Sequence, residues 1–407
     1  MKTTYALALA TGIGLLSAPR APGQAKFATI YAFDRSEVTG LTAAEGVLYG
    51  AGTTGNCGSV DALKPPLAPG GVWTHTTLYV FTGVNGDGCG PVEAPATAAN
   101  GALYGVTEGG GAYVWGTVYE LLPPVTPGGA WAESVLYSFP SIATDPFGLI
   151  VGPDGALYVG TTGGGSHGTG AVFKLQPPTA PGGTWNTTVL YSFPGNLTEA
   201  GPTSLSIGAD GAFYGTILVG GAAPEGAGAV FEIRPPAISG GDWTGTVLYD
   251  FRGGKDGSSP NSVMLGPDRT LYGTTFGTIG LDGRHGLYGV GTVFKLTPPS
   301  SPDERWTKTI LAQLSAGDKS GPNSPLIMRN GNLYGTSSSG ASSPGGVVYE
   351  LQPPASPGGA WTTTYLHRLD GTVPGGALFM DRDGALFGAT QAAYPAPPQG
   401  IVYRIAP

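Results

Sequence analysis

Charge is scarce in this chain. Of 407 residues only 11% are Asp, Glu, Lys or Arg, the formal net charge is −8, and no basic cluster occurs. Nucleic acid and anionic membrane surfaces are therefore excluded as expected partners. Histidine is limited to four residues, with His75 and His367 on outer strands and His167 and His285 in separate loops. Zinc needs three or four converging ligands, so no zinc site, and no other metal or cofactor, is expected. Past the N-terminus there is no long apolar run, which excludes a membrane span. No window outside the N-terminus carries a 3.6-residue apolar stripe, which excludes all but traces of helix.

The N-terminus has the layout of a targeting segment. Lys2 gives a positive start, Tyr5 to Ala18 is apolar, and Gly23-Gln24-Ala25 offers small residues before a cut ahead of Lys26. The apolar stretch is shorter than the ~20 residues of a membrane span; an uncleaved anchor is the alternative. Residues 1–25 are expected to be a signal peptide and 26–407 one soluble, exported domain, secreted or periplasmic. Loss of Lys2 and Arg20 takes the net charge to −10. A monomer is expected.

Glycine and proline are abundant: 72 Gly and 37 Pro, about 27% of the chain. Such bias suggests low complexity, but a period of roughly 55 residues rejects that reading. WAESVLYSF at 131–139 returns as WNTTVLYSF at 185–193 and WTGTVLYDF at 243–251, with looser copies at 73–81, 306–314 and 361–369. In step with it run aromatics at Tyr49, Tyr104, Tyr158, Tyr214, Tyr272, Tyr334 and Phe387, and valines at Val60, Val118, Val172, Val230, Val293, Val348 and Val402. Short Val/Leu/Tyr/Phe runs bounded by turn residues are strands. The first copy of the Trp strand, Phe27 to Phe33, stands alone at the start of the mature chain, and the last unit lacks that same strand. Joining the two closes a ring and removes exposed sheet edges. The fold class is thus all-β: a seven-bladed propeller of four-stranded antiparallel blades. An open solenoid would need polar capping units, which neither end resembles. The repeated Trp and Tyr residues read as packing between blades, and continuous apolar runs such as Val135-Leu136-Tyr137 read as strands covered on both faces.

Spacing divides the two faces of the ring. From the third-strand valine to the Trp is 13 residues in all six copies, across a connector of the type PPVTPGG whose proline and glycines specify a rigid turn. Aromatic-to-valine distances instead run 11, 14, 14, 16, 21, 14 and 15. Those loops and the links between blades emerge on one face, and binding usually resides on such loops. Cys57 and Cys89 fall on that face of adjacent blades and are expected to form a disulfide, as two lone cysteines of an exported protein should.

The phrases Gly101-Ala-Leu-Tyr-Gly105, Val159-Gly-Thr-Thr-Gly-Gly-Gly165, Gly291-Thr-Val-Phe-Lys-Leu296 and Val135-Leu-Tyr-Ser-Phe139 resemble the GloVer repeat family of exported bacterial proteins. The resemblance covers residues 26–407 and implies an exported propeller; it implies no reaction. Asp61 and Ala62 depart from the family's aromatic–charged pair. Members are said to carry a C-terminal anchoring segment, whereas this chain stops inside a propeller strand. Kelch-type propellers are a looser match, sharing Gly pairs, Tyr and Trp but not this phrase order.

Candidate chemistry is sparse. Asn85-Gly86-Asp87-Gly88 and Lys255-Asp256-Gly257 have a calcium-loop look but lack the alternating ladder and terminal Glu, and Asp-Gly is the ordinary turn dipeptide. No GxSxG elbow is present; Glu93, Asp145, Glu199, Asp256 and Asp318 are acids near the expected channel mouth. The variable loops hold Tyr113, Trp115, His167, Phe276, Arg284, His285, Tyr288 and Tyr394, suited to stacking on sugars or anchoring a protein. The alternative is that these loops bury their own aromatics. The reading is a non-catalytic scaffold for a glycan or surface protein. Its rival is a secreted polysaccharide hydrolase or lyase with carboxylates at the channel mouth.

Overall fold

The computed structural model describes residues 26–406 except 34–37, 53, 69, 127, 141–144, 181–182, 196–200, 222–225, 239, 278–290, 302–303, 315–320, 323, 339–344, 357, 371 and 393–399. Seven antiparallel sheets form the blades of a propeller, in chain order around the ring. Blade 4 is typical, with Pro202–Ile207 innermost, then Phe213–Ile217 and Ala229–Arg234, and Thr244–Asp250 outermost. Helix among the described residues is confined to two single 3₁₀ turns, Gly254–Asp256 and Pro267–Arg269.

Blade 7 is built from both ends of the chain. Its strands Leu386–Ala392 and Ile401–Ala406 are followed outward by Lys26–Ala32, in the register Lys26↔Ala406 and Tyr31↔Val402. The Phe33 N–H donates to the Gly400 carbonyl at 2.9 Å and extends the seam by one residue. Inner strands are split in blades 2 and 7. In blade 2, Gly88–Pro91 and Ala96–Thr97 are separated by Val92-Glu93-Ala94-Pro95, where Pro95 has no N–H to give to the ladder.

The repeat is a packing code. All seven third-strand valines are fully buried, and the residue ending each outer strand, Phe33, Phe81, Phe139, Phe193, Phe251, Leu314 or Leu369, is buried with them. The glycine of the Leu-Tyr-Gly phrase is explained by close approach: a Cβ at Gly105 would stand 2.2 Å from the Tyr119 hydroxyl, and one at Gly388 equally near that of Tyr403. In the connectors, Gly70, Gly128, Gly240 and Gly358 hold φ near +82°, and the next glycine donates three residues back, as Gly129 does to Thr126 at 3.0 Å. This is the third position of a type II turn, which favours glycine.

Outer strands are less covered than the apolar runs suggest. Second and third strands such as Leu157–Thr161 and Ala171–Gln176 are almost wholly buried, whereas Ala132–Ser138 alternates between exposed and half-buried. Blades splay apart away from the axis, so the neighbour no longer reaches the rim. The repeated tryptophans sit there, half-buried. Four pack on an aromatic of the preceding blade's second strand: Trp131 on Tyr49 at 6.5 Å, Trp185 on Tyr104 at 5.9 Å, Trp361 on Tyr272 at 6.4 Å, and, across the closure, Trp73 on Phe387 at 6.1 Å; Trp243 packs instead on Phe213 of its own blade, tilted, at 5.6 Å. These edge-on pairs each add about 0.5–1.5 kcal/mol beyond area burial.

Candidate functional site

The face opposite the connectors carries the loops between second and third strands. In blade 2 this loop leaves Leu103–Gly110 and returns at Thr117–Leu122. Its ends are tied by a bridge between Gly110 and Trp115, and its middle by the Ala112 N–H donating to the Ser138 hydroxyl at 3.2 Å. Blade 3 repeats the device, with a Gly164–Thr169 bridge and the Ser166 N–H on the Ser192 hydroxyl at 3.1 Å; blade 4 repeats the bridge between Gly220 and Ala227. Loops of different length thus share one closure, which spacing alone did not reveal.

Blade 2 departs from its neighbours at one residue. Val114 stands at φ +67°, where blade 3 has Gly168 at φ +78° and blade 4 Gly226 at φ +58°. A β-branched residue in this region is a genuine outlier. Tyr113, Val114 and Trp115 are 54%, 65% and 36% exposed. The three form an outward aromatic-aliphatic tip on a tied loop. Tyr113 also lies close enough to Tyr137 that its charge, added to burial, raises the Tyr137 phenol.

His167 occupies in blade 3 the position Tyr113 holds in blade 2; it is exposed, with its Nδ1 3.0 Å from the Ser166 hydroxyl. Phe276 is half-buried at the start of the blade 5 loop, its N–H donating to the Ser259 carbonyl at 3.1 Å. Arg284, His285, Tyr288 and Tyr394 lie outside the described residues. Cys57 and Cys89 form a disulfide that ties the blade 1 loop to the inner strand of blade 2, with Cα atoms 4.4 Å apart.

The acids are dispersed and individually engaged. Glu93 interrupts the inner strand of blade 2 with its side chain exposed to solvent; the surrounding protein nevertheless desolvates its carboxyl and raises it, against the N–H of Gly148 in the next inner strand. The Asp145 carboxylate is exposed and accepts from the Thr162 hydroxyl at 3.4 Å. Asp256 is desolvated, yet Lys308, the Arg252 N–H and the Tyr249 hydroxyl outweigh that and hold it below the usual carboxylate range. Glu199 and Asp318 lie outside the described residues. Among the described residues no three His, Cys, Asp or Glu side chains meet in a metal-holding group.

One cluster escaped the sequence reading. Between blades 1 and 2, burial and then the charge of Asp87 push Glu133 up to about 7. Burial, then Asp87 and Glu133, push Tyr79 up to about 12. Asp87 Oδ1 and Glu133 Oε1 are buried without a hydrogen-bond partner. The signal available in sequence was Glu133 itself, two residues past a repeated Trp, where other units have His75, Thr187, Gly245, Lys308 and Thr363.

Among solved structures the likeness is one of fold. The extracellular domain of a protein described as a one component system from B. thetaiotaomicron is 13% identical, with a TM-score of 0.54 over 93% of this chain; the match spans only 40% of that chain. A gluconolactonase from Xanthomonas campestris is 15% identical over 75% of this chain and 83% of its own, with a TM-score of 0.41. A glucose dehydrogenase is 12% identical over 94% and 99%, with a TM-score of 0.43. No curated protein matches the chain in sequence. The sequence pattern of the Gloeobacter/Verrucomicrobia repeat, by contrast, matches residues 57–275 and 145–393, most of the ring just described. The chain belongs to the Gloeobacter/Verrucomicrobia repeat family.

Proposed function

We propose that the protein is an exported, monomeric propeller that binds a glycan or a surface protein through its variable-loop face, without chemistry and without a cofactor. The observation that carries this reading is the Tyr113-Val114-Trp115 tip: two aromatics and a valine exposed together, with Val114 at a positive φ that its neighbours assign to glycine. Strain held at an exposed tip is a feature of ligand clamps, and exposed aromatics are the usual anchors of interfaces. His167 on the adjacent blade extends the same rim; Phe276, Arg284, His285, Tyr288 and Tyr394 are the further candidates of the face. Export is supported by the disulfide and by the targeting layout of residues 1–25. No helix among the described residues is long and apolar enough to cross a membrane.

The rival reading, a polysaccharide hydrolase or lyase, draws on Glu93, an exposed carboxyl on the inner side of blade 2 that partial desolvation raises. A glycan-array screen, with each hit then incubated and assayed for cleavage products, separates the two. Binding without products supports the scaffold; products abolished by Glu93→Gln support the enzyme. Replacing Tyr113 and Trp115 together by Ala should weaken binding by roughly 2–4 kcal/mol, measured by calorimetry. Unchanged affinity would move the site off this tip.

A further inference from the structure

On the opposite, connector face, blades 1 and 2 part to leave a groove of about 600 Å³. It lies between the hairpin turns of the two blades, Glu45 on one side and Asn100-Gly101 on the other, with Tyr49 and Trp131 in its wall. Burial, and secondarily the charge of Glu45 on the same blade, raise the Tyr49 phenol.

The other six blades show what is missing here. Opposite the aromatic of the second strand, the third strand carries Glu120, Lys174, Glu232, Lys295, Glu350 or Arg404. Four of these side chains engage the ring: the Tyr104 hydroxyl donates to Glu120 at 2.7 Å and that of Tyr334 to Glu350 at 2.8 Å, while the Lys174 and Arg404 cations lie over Tyr158 and Phe387. In blade 1 the residue opposite Tyr49 is Ala62. A buried methyl group stands where every other blade places a long polar chain beside the aromatic, so no third-strand side chain reaches the Tyr49 hydroxyl.

We infer that the groove binds one neutral pyranose unit, whose hydroxyls supply Tyr49 with the polar partner that the third strand supplies in other blades. A sugar hydroxyl would accept from Tyr49 as Glu120 does from Tyr104, and the C–H faces of the ring would lie against Tyr49 and Trp131. Glu45 would accept, and the Asn100 amide donate, toward the remaining hydroxyls. A groove of this size suits a ligand of one or two rings. Glu45 disfavours anionic sugars, and the paired carboxylate, amide and aromatic walls favour a ring rich in both C–H and O–H over an aliphatic peptide. This site lies on the other side of the molecule from the loop tip and stands or falls separately from it.

The test is calorimetric titration of the full chain with methyl pyranosides of glucose, galactose, mannose and xylose, their neutral tetrasaccharides, a uronate oligosaccharide and a proline-rich peptide. Saturable binding of a neutral saccharide is expected. Methyl pyranosides binding as well as tetrasaccharides mark a single-unit site, and tetrasaccharides alone mark the end of a glycan chain. Ala62→Glu should restore the Glu–Tyr pair, take up the Tyr49 hydroxyl and lower affinity at least tenfold; Glu45→Gln should lower it several-fold with the fold undisturbed. The Tyr113→Ala/Trp115→Ala variant should bind this sugar as the parent does. No saturable binding of any neutral saccharide overturns the inference, as does preference for the uronate or the peptide. Equal binding by the parent, Ala62→Glu and Glu45→Gln overturns it too. Binding lost in the Tyr113/Trp115 variant instead assigns the sugar to the loop face and leaves that reading intact.

Discussion

Val114 shows how far a single residue can depart from a repeat. Tyr113-Val114-Trp115 has the composition of a strand, and β-propensity points the same way. The tied loop nevertheless forces Val114 to φ +67°. Nothing in the residue types announces that; only the alignment of Val114 with Gly168 does. Relieving the strain with Val114→Gly should raise stability by about 1 kcal/mol, read as a shift in urea midpoint at constant slope; a decrease would mean the valine packs in a way its exposure does not suggest. The repeated positions were legible for the opposite reason. Val172 or Phe193 recurs at fixed spacing because it is buried at the same place in every blade, so periodicity and burial coincide. The tryptophans were legible in position but not in degree, since a rim residue recurs as faithfully as a core one. Trp185→Ala should therefore cost about 2–4 kcal/mol, less than a fully buried tryptophan, while the Tyr113/Trp115 double variant should melt as the parent does. Equal destabilisation of both by thermal denaturation would make the loop tip part of the core.

At the scale of the element, two blade junctions solve one problem in opposite ways. Between blades 4 and 5, Lys308 projects from the outer strand Thr307–Gln313 onto Asp256 at 2.5 Å, and the Tyr249 hydroxyl donates to the same carboxylate at 2.8 Å. Between blades 1 and 2 the matching residues are Glu133, Asp87 and Tyr79, two acids and a phenol with no cation in the lysine's place. The folded state therefore favours a protonated Glu133. Its carboxyl titrates near 7 against an ordinary 4.5, so the associated stability is fully present below about pH 4.5 and is lost as pH rises through 7. Partial exposure and solvent screening limit the effect to about 1–2 kcal/mol. Denaturation measured from pH 5 to 8 should show stability falling across that window, and Glu133→Gln should flatten the slope. Glu133→Lys should rebuild the arrangement of the other junction and stabilise the protein at pH 7.5 by about 1 kcal/mol. A Lys variant less stable than the Gln variant would show that the two junctions differ in geometry as well as in charge.

For the whole molecule, the count of blades and the manner of closure were readable because an orphan strand at one end matched a missing strand at the other. The weak point of the ring was not readable, because it is the sum of several small departures. Blade 1 has Ala62 for a charged chain and Asp61 for an aromatic, the latter buried among Ser59, His75 and Thr77 at 2.6, 2.8 and 2.7 Å. Blade 2 adds a split inner strand and the Glu133 cluster. The Cys57–Cys89 disulfide crosses this same junction. Replacing both cysteines by serine should cost about 2–4 kcal/mol, read by thermal denaturation, and reduction of the parent should reproduce it. Deleting residues 26–33 strips the outer strand from blade 7, and the exposed edge should aggregate or melt early; a truncated protein that melts like the parent would refute closure. The pairing of Lys26 with Ala406 has a further consequence in time. The strand Lys26–Ala32 cannot find its partner until Ile401–Ala406 has followed it from the ribosome. Six blades can assemble from neighbouring segments, but the seventh waits on a contact spanning almost the whole chain, of the kind that slows folding most. The ring-locking step therefore waits on Ile401–Ala406, and until then Lys26–Ala32 travels as an unpaired strand.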